Sequence, residues 1–269
     1  MHRALRRARV FRFLTLFLVV TLGAGCATAP TTDAEAKPPR TASYDSNDPL
    51  EGFNRAMYVF NENFDRYLLK PVAKGYRAVT PAFARRGLAN FFGNLYEPVN
   101  MVNNLLQGKL ADGASDFGRF AINSTLGIYG LFDVATHIGL DRHDEDFGQT
   151  LGVWGMGEGP YLVLPILGPS SFRDAFGEVP DWYLYPTQYM EERSTADKLW
   201  VGRLVVRREQ LLDATDILEQ AAGTDPYVFV REAYRQRRRS MIFDGNPPTP
   251  PPDPSLFEDE EPLPPTPLK

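Results

Sequence analysis

Few residues in this 269-residue chain have the types and spacing to do chemistry. Cys26 is the only cysteine, which excludes a disulfide within the chain. Beyond the N-terminal stretch the histidines are His137 and His143, and no serine stands in a G-x-S-x-G elbow. A nucleophile–base pair therefore has nothing to start from. Asp141, His143, Asp144, Glu145 and Asp146 carry metal-binding atoms, but their spacing is not that of an EF-hand and there is no H-E-x-x-H. A solvated charged loop is the better reading of that run. Gly152, Gly155, Gly157 and Gly159 have neither the Lys-Ser/Thr ending of a phosphate loop nor the G-x-G-x-x-G of a dinucleotide site. The expectation is a chain that is not an enzyme and carries no cofactor and no metal.

What those glycines do supply is positive φ and close backbone approach. They lead through Pro160 into the apolar run Tyr161–Leu167, all within DFGQTLGVWGMGEGPYLVLPILGPSSFRD (146–174). The stretch reads either as a buried loop of an ordinary core or as a lip or pore element facing lipid. Residue physics alone leaves both open. Under the second reading Gly155, Gly157, Gly159, Pro160, Tyr161, Leu162 and Leu164 are the candidate loop residues. Lys198 is the only lysine between Lys109 and Lys269 and begins a long helix beside Trp200. As a compact, flexible cation it could meet a lipid phosphate at a rim; a solvated surface lysine is the alternative.

Location decides between such readings. Residues 1–25 hold Arg3, Arg6, Arg7, Arg9 and Arg12, no acidic residue, the apolar run Phe13–Leu22, then Gly23, Ala24 and Gly25. That is the order of a secretory leader, with an apolar run too short to span a bilayer. Cys26 follows at once and reads as a lipid-modified N-terminus resembling the bacterial lipoprotein signal, against an unmodified cysteine behind an ordinary leader. Gly23 stands where that signal has an aliphatic residue, with Leu22 one position back. Ala27 stands where an inner-membrane retention signal has Asp, so the resemblance implies the outer membrane. Losing the five leader arginines takes the net charge from −5 to −10. No basic stripe remains to bind nucleic acid, or to hold an anionic surface by charge alone.

The organisation follows from composition. After the leader, 26–47 reads as a flexible tether and 246–269, with ten of the 23 prolines and the acidic cluster Glu258–Glu261, as a disordered tail. Between them, 48–245 is long enough for one domain with a sizeable core. Asp48-Pro49, Thr80-Pro81 and Asp225-Pro226 place capping side chains before prolines suited to a first helical turn. Phe53, Met57, Phe60, Phe64 and Tyr67 recur at helical spacing, with Asn54, Asn61, Glu62 and Asp65 opposite, until Pro71 ends or kinks the helix. Further amphipathic segments cover 81–95, 98–107, 110–126, 195–222 and 226–243. The last of these carries Arg231, Arg235, Arg237, Arg238 and Arg239, a stripe for a helix dipole or a membrane surface. Two-residue alternation is scarce, so neither a β-sandwich nor an outer-membrane barrel fits. The fold class is all-α, with 146–174 as its main irregular element.

DPLEGFNRAMYVFN (48–61), NFFGNLYEPVNMVNNLLQG (90–108), RFAINSTLGIYGLFDVA (119–135), FGQTLGVWGMGEGPYLVLPILGPSSFRD (147–174) and DPYVFVREAY (225–234) together resemble the MlaA/VacJ outer-membrane lipoproteins. The resemblance spans nearly all of the central domain. It implies a ring of amphipathic helices in the outer membrane around a central amphiphilic channel. It implies phospholipid as cargo, drawn from the outer leaflet and passed to a periplasmic lipid-carrier protein, with a trimeric outer-membrane porin as neighbour. A scaffolding lipoprotein that binds a protein partner without moving lipid is the alternative. Because Cys26 is the only acylation candidate, Cys26→Ser is expected to abolish incorporation of a palmitate analogue; equal labelling of the mutant would contradict the lipoprotein reading.

Overall fold

The computed structural model describes residues 48–215 and 225–248. Cys26, the leader, the tether to residue 47, the end of the expected 195–222 helix and most of the tail lie outside the described residues. The chain opens with α1 (Glu51–Phe64), a π-helical turn (Asp65–Leu69) and α2 (Lys70–Val79). Pro71 offers no N–H to the carbonyl four residues back, and its ring crowds that carbonyl. The backbone absorbs this by widening: the Lys70 N–H reaches back to the Asp65 carbonyl, and Pro71 falls in the first turn of α2. The helix is thus interrupted by a bulge at the proline rather than ended there.

There follow α3 (Ala82–Asn94), α4 (Glu97–Leu106), α5 (Leu110–Thr125), α6 (Val134–His137) and α7 (Phe147–Val153). Then come β1 (Tyr161–Leu164), β2 (Gly168–Ser171), α8 (Phe172–Leu184), a 3-10 turn (Pro186–Tyr189), α9 (Arg193–Gln210) and α10 (Pro226–Ile242). α4 packs on α5, α7 on α8, and α9 against α2 and α3, while the hairpin is held among α1, α8 and α10.

The capping side chains are only partly those expected. Asp225 accepts from the N–H groups of Tyr227 and Val228 as a cap should. Asp48 does not cap α1, whose N-cap is Leu50, and neither does Thr80 cap α3. Asp48 is instead pulled inward, where Asn54, Tyr227 and Arg231 all donate to it. Two caps went unrecognised: Asp146 accepts from the Gln149 N–H and Ser171 from the Asp174 N–H, starting α7 and α8. Both helices lie in or beside the stretch read as irregular.

That stretch is also not irregular at its centre. β1 and β2 pair antiparallel with Tyr161 opposite Ser171 and Leu164 opposite Gly168. Tyr161 and Val163 point inward while Leu162 and Leu164 are half-buried, the alternation a strand requires. The second edge of β1 would carry unpaired backbone groups. α1 supplies them with partners. Asn54 donates to the Tyr161 carbonyl (2.9 Å) and accepts from the Val163 N–H (2.9 Å). Two turns on, Asn61 donates to the Leu164 carbonyl (2.9 Å) and accepts from the Ile166 N–H (2.7 Å). These two amides act as a third strand. The second also holds Ile166 at φ +67°, a conformation costly for a β-branched residue.

The apolar core is small: Tyr161, Val163 and Tyr227, with Met57, Tyr58, Val228 and Tyr234 against them. The sizeable core expected from length is absent among the described residues. Asn54→Leu removes partners from two buried backbone groups and from Asp48, at about 1–3 kcal/mol for each group left unsatisfied. We expect a destabilisation of roughly 2–4 kcal/mol in denaturant titrations, with loss of amide-exchange protection at Val163. Unchanged protection at Val163 would show that α1 does not hold the strand.

Candidate functional site

The helices are amphipathic in the inverted sense. α4 buries Glu97, Asn100, Asn103 and Asn104 while exposing Leu105 and Leu106. α5 buries Asp116, Arg119 and Asn123 at spacings of three and four, and exposes Leu110 and Phe117. α8 buries Arg173, Asp174 and Asp181 and exposes Phe172, Phe176, Val179, Trp182 and Tyr183. Among the described residues 22 polar or charged side chains are buried against 10 hydrophobic ones, and 33 large hydrophobic side chains are exposed. A water-soluble domain rarely shows contiguous apolar surface on this scale. The arrangement suits a medium that is itself apolar.

A polar interior survives only where each group is paired. Arg119 donates to Glu97 (3.1 Å), to both oxygens of Asp133 (3.0 Å each) and to the Leu140 carbonyl (2.7 Å). Burial alone would raise the Asp133 carboxyl, but bonds from Thr136, Asn123 and Arg119 hold it down to about 2. Asn103 joins α4 to α8 through Asp181 (2.9 Å) and to α7 through Thr150 (2.8 Å). Asn104 donates to Asp116 (2.7 Å), which His143 also contacts (2.7 Å). Arg238 on α10 ties Asp146 (2.9 Å) to Asp174 (2.9 Å). The 141–146 run is therefore a solvated loop only in part: Asp141 and Asp144 are exposed, and the other three acidic or histidine side chains turn inward. His143 is spent on a hydrogen bond with Asp116, and Glu145 and Asp146 on ion pairs with Lys109 and Arg238. Arg231 and Arg238 likewise turn inward rather than to a membrane surface.

Where α4, α8 and α9 approach, accessibility and desolvation part company. Solvent reaches Glu178, yet burial pushes its carboxyl above the usual range, with Asp146 raising it and Arg203 and Arg207 opposing. Tyr96 and Tyr185 are half-accessible, and desolvation raises both hydroxyls in the same way. These side chains reach solvent while the surrounding protein still disfavours their charged forms. Beside them, α2, α3 and α9 form an apolar groove of about 360 Å³ lined by Tyr76, Leu88, Phe92, Leu199 and Val205, with Lys198 on its edge.

The expected site residues are thus divided between two places. Lys198 is exposed on α9 at the groove. The loop residues form the approach and first strand of the hairpin on α1 and α10. Gly155 (φ +91°) and Gly159 (φ +68°) need their glycine conformation, and a Cβ at Gly159 would meet the Phe172 Cβ at 3.1 Å. Gly157 has neither a positive φ nor a neighbour within 4 Å, so the requirement for glycine falls on Gly159 instead. The Pro160 carbonyl accepts from the Phe172 N–H (2.9 Å). Tyr161 lies in the core against Tyr227 and Tyr234, and Ile166 and Leu167 are the exposed apolar tip. Glu178, Asp181, Tyr96, Tyr185 and Arg203 were missed by sequence reasoning. Glu178 and Asp181 lie on α8, for which no helix was expected, and Tyr96 and Tyr185 flank helix ends. Arg203 lies in the expected 195–222 helix, whose inward face the periodicity did not reveal.

Comparison with known proteins gives consistent findings. The MlaA lipoprotein family pattern matches residues 46–241. The chain is 41% identical over 238 residues to the intermembrane phospholipid transport system lipoprotein MlaA of Escherichia coli (strain K12), covering 87% of this chain and 90% of that one. It is 38% identical to the protein of the same name in Haemophilus influenzae, over 74% of this chain and 80% of the relative. A solved structure described as the structural basis for maintenance of bacterial outer membrane lipid asymmetry aligns with a TM-score of 0.64 at 43% identity. It covers 74% of this chain and 99% of that one.

Asp181 gives the interior a measurable pH response. Burial raises its carboxyl to about 7, although the Phe147 N–H and Asn103 donate to it; Asp146 and Glu178 add to the rise. The folded state therefore holds a proton that the unfolded chain, with the ordinary aspartate value of 3.8, has released. That contribution is full at acid pH and is lost as pH rises from about 4 through about 7. Asp181→Asn is expected to flatten stability against pH in that window, measured by unfolding in detergent between pH 4 and 8. Parallel pH curves for the two proteins would contradict the assignment.

Proposed function

The chain belongs to the MlaA lipoprotein family, and on that premise we propose that it moves phospholipid at the outer membrane. One observation carries the reading: polar side chains are buried and networked while large apolar ones are exposed. No helix among the described residues is long and apolar enough to cross a membrane. A domain that lies in hydrocarbon on its apolar outer faces, with most of its buried polar groups paired inside, meets both facts. The helices satisfy their own backbones, and the asparagine clamp of α1 does the same for the exposed edge of β1.

In this reading the headgroup passes beside Tyr96, Tyr185 and Glu178, and the groove near Lys198 accommodates acyl chain. The hairpin tip at Ile166 and Leu167 faces lipid. Lipidated Cys26 anchors the chain to the outer membrane. Phospholipid passes from the outer leaflet toward a periplasmic lipid-carrier protein, with a trimeric porin beside the helices. The family name and the lipid-transport relatives support this, as does the lack of a nucleophile–base pair.

The test is direct. Protein extracted in mild detergent from cells fed a fluorescent phosphatidylethanolamine is expected to carry that lipid and to release it to acceptor vesicles. Gly159→Val is expected to slow release, while Gly157→Val leaves it unchanged, with similar circular dichroism for all three. Purified wild-type protein free of phospholipid would favour the scaffold and remove the transfer reading.

A further inference from the structure

The transport reading names phospholipid as cargo but not the group that recognises its charged part, and on that reading the geometry points to Arg203 as the phosphodiester-binding residue. Arg203 lies on α9, half-buried, with its guanidinium over the rings of Tyr185 (4.9 Å to the centroid) and Tyr96 (5.6 Å). It donates to the Tyr185 hydroxyl. Among the described residues it has no carboxylate partner within ion-pairing distance, unlike Arg119, Arg208, Arg231 and Arg238. A half-buried guanidinium without an anionic partner is unusual, because its desolvation is ordinarily compensated by a carboxylate or a phosphate.

The surroundings fit a phosphate better than a protein carboxylate. Arg207 is one turn further along α9 and exposed, so the two cations share one approach. Glu178 sits in a field that both arginines act on, yet burial still raises its carboxyl above the usual range. Stacked on two rings, the planar guanidinium has its free edge fixed in direction, which suits bidentate contact with two phosphate oxygens. The apolar groove begins on the same helix: Leu199, Gly202 and Val205 line it, and Phe92, one turn before Tyr96, faces them. The Tyr76 hydroxyl in that groove is buried and has no hydrogen-bond partner. An acyl ester carbonyl entering with the chain would supply its acceptor. Arg203 and the groove thus form an amphiphile site, charged at one end and apolar along the other.

The experiment uses the full chain in detergent and three probes: a short-chain phosphatidylglycerol, the matching diacylglycerol and inorganic phosphate. Wild type is expected to bind the phosphatidylglycerol more tightly than the diacylglycerol. Arg203→Met is expected to lose about tenfold in affinity for phosphatidylglycerol, the scale of one charge-assisted contact, and to leave diacylglycerol binding unchanged. Arg203→Lys restores part of the loss, since it keeps the charge without the fork. Gly202→Leu, whose side chain would enter the groove toward Phe92, weakens both lipids. Circular dichroism controls for folding, and Arg207→Gln, on an exposed side chain, provides a second and smaller loss. Phosphatidylglycerol binding by Arg203→Met at the wild-type affinity overturns the proposal and leaves the transport reading intact. Inorganic phosphate bound as tightly as the lipid makes this a free-anion site and overturns it too. A wild type that binds neither lipid removes both.

Discussion

An apolar medium offers no hydrogen bonds, and on the proposed placement in the membrane that constraint governs the described domain. Exposed Phe, Trp and Leu on α5, α8 and α9 are favourable only where the surroundings are hydrocarbon, and there every polar group must find its partner within the chain. The architecture follows from this. Arg119 serves Glu97, Asp133 and a carbonyl at once; Asn103 bridges three helices; Arg238 holds two carboxylates that also cap α7 and lie in the first turn of α8. Such networks stabilise when complete and cost heavily when one member is removed. They make the interior of this domain specific where most domains rely on apolar packing.

The hairpin shows the same constraint applied to backbone. A two-stranded ribbon is marginal alone and leaves two open edges. Asn54 and Asn61 close one edge with side-chain amides, and α8 and α10 hold the remainder. The ribbon can then present Ile166 and Leu167 outward with the outer edge of β1 already paired. Rigid support beneath an apolar tip is what a lip beside lipid requires.

How much of this could be read from the residues depended on which signals are symmetric. Helical periodicity placed α1, α3, α4, α5 and α10 close to their observed bounds, because a 3.6-residue repeat is the same whichever face is buried. That symmetry hid the inversion: the Asn100, Asn103, Asn104 face of α4 and the Asp116, Arg119, Asn123 face of α5 are equally good outer faces until the medium is known. The proline signals were ambiguous in another way. Asp225-Pro226 capped as expected, whereas Asp48 was drawn into the interior by Asn54 and Arg231, a long-range demand no local pattern carries. The glycines misled by number. Four of them suggested a loop, but only Gly155 and Gly159 of the set named for it hold positive φ, and β1 begins directly after. Asp146-x-x-Gln149 and Ser171-x-x-Asp174 had the spacing of caps and marked α7 and α8 in plain sight.

The inversion has a built-in reporter. The chain has three tryptophans, and Trp154, Trp182 and Trp200 are all exposed, on α8, α9 and the end of α7. Intrinsic fluorescence therefore reports on the outer apolar surface and not on a core. In bilayers of phospholipid brominated along the acyl chain, the account requires strong quenching of tryptophan emission and little quenching by aqueous iodide. Efficient quenching by iodide, with none by the brominated chains, would place these faces in water and contradict it.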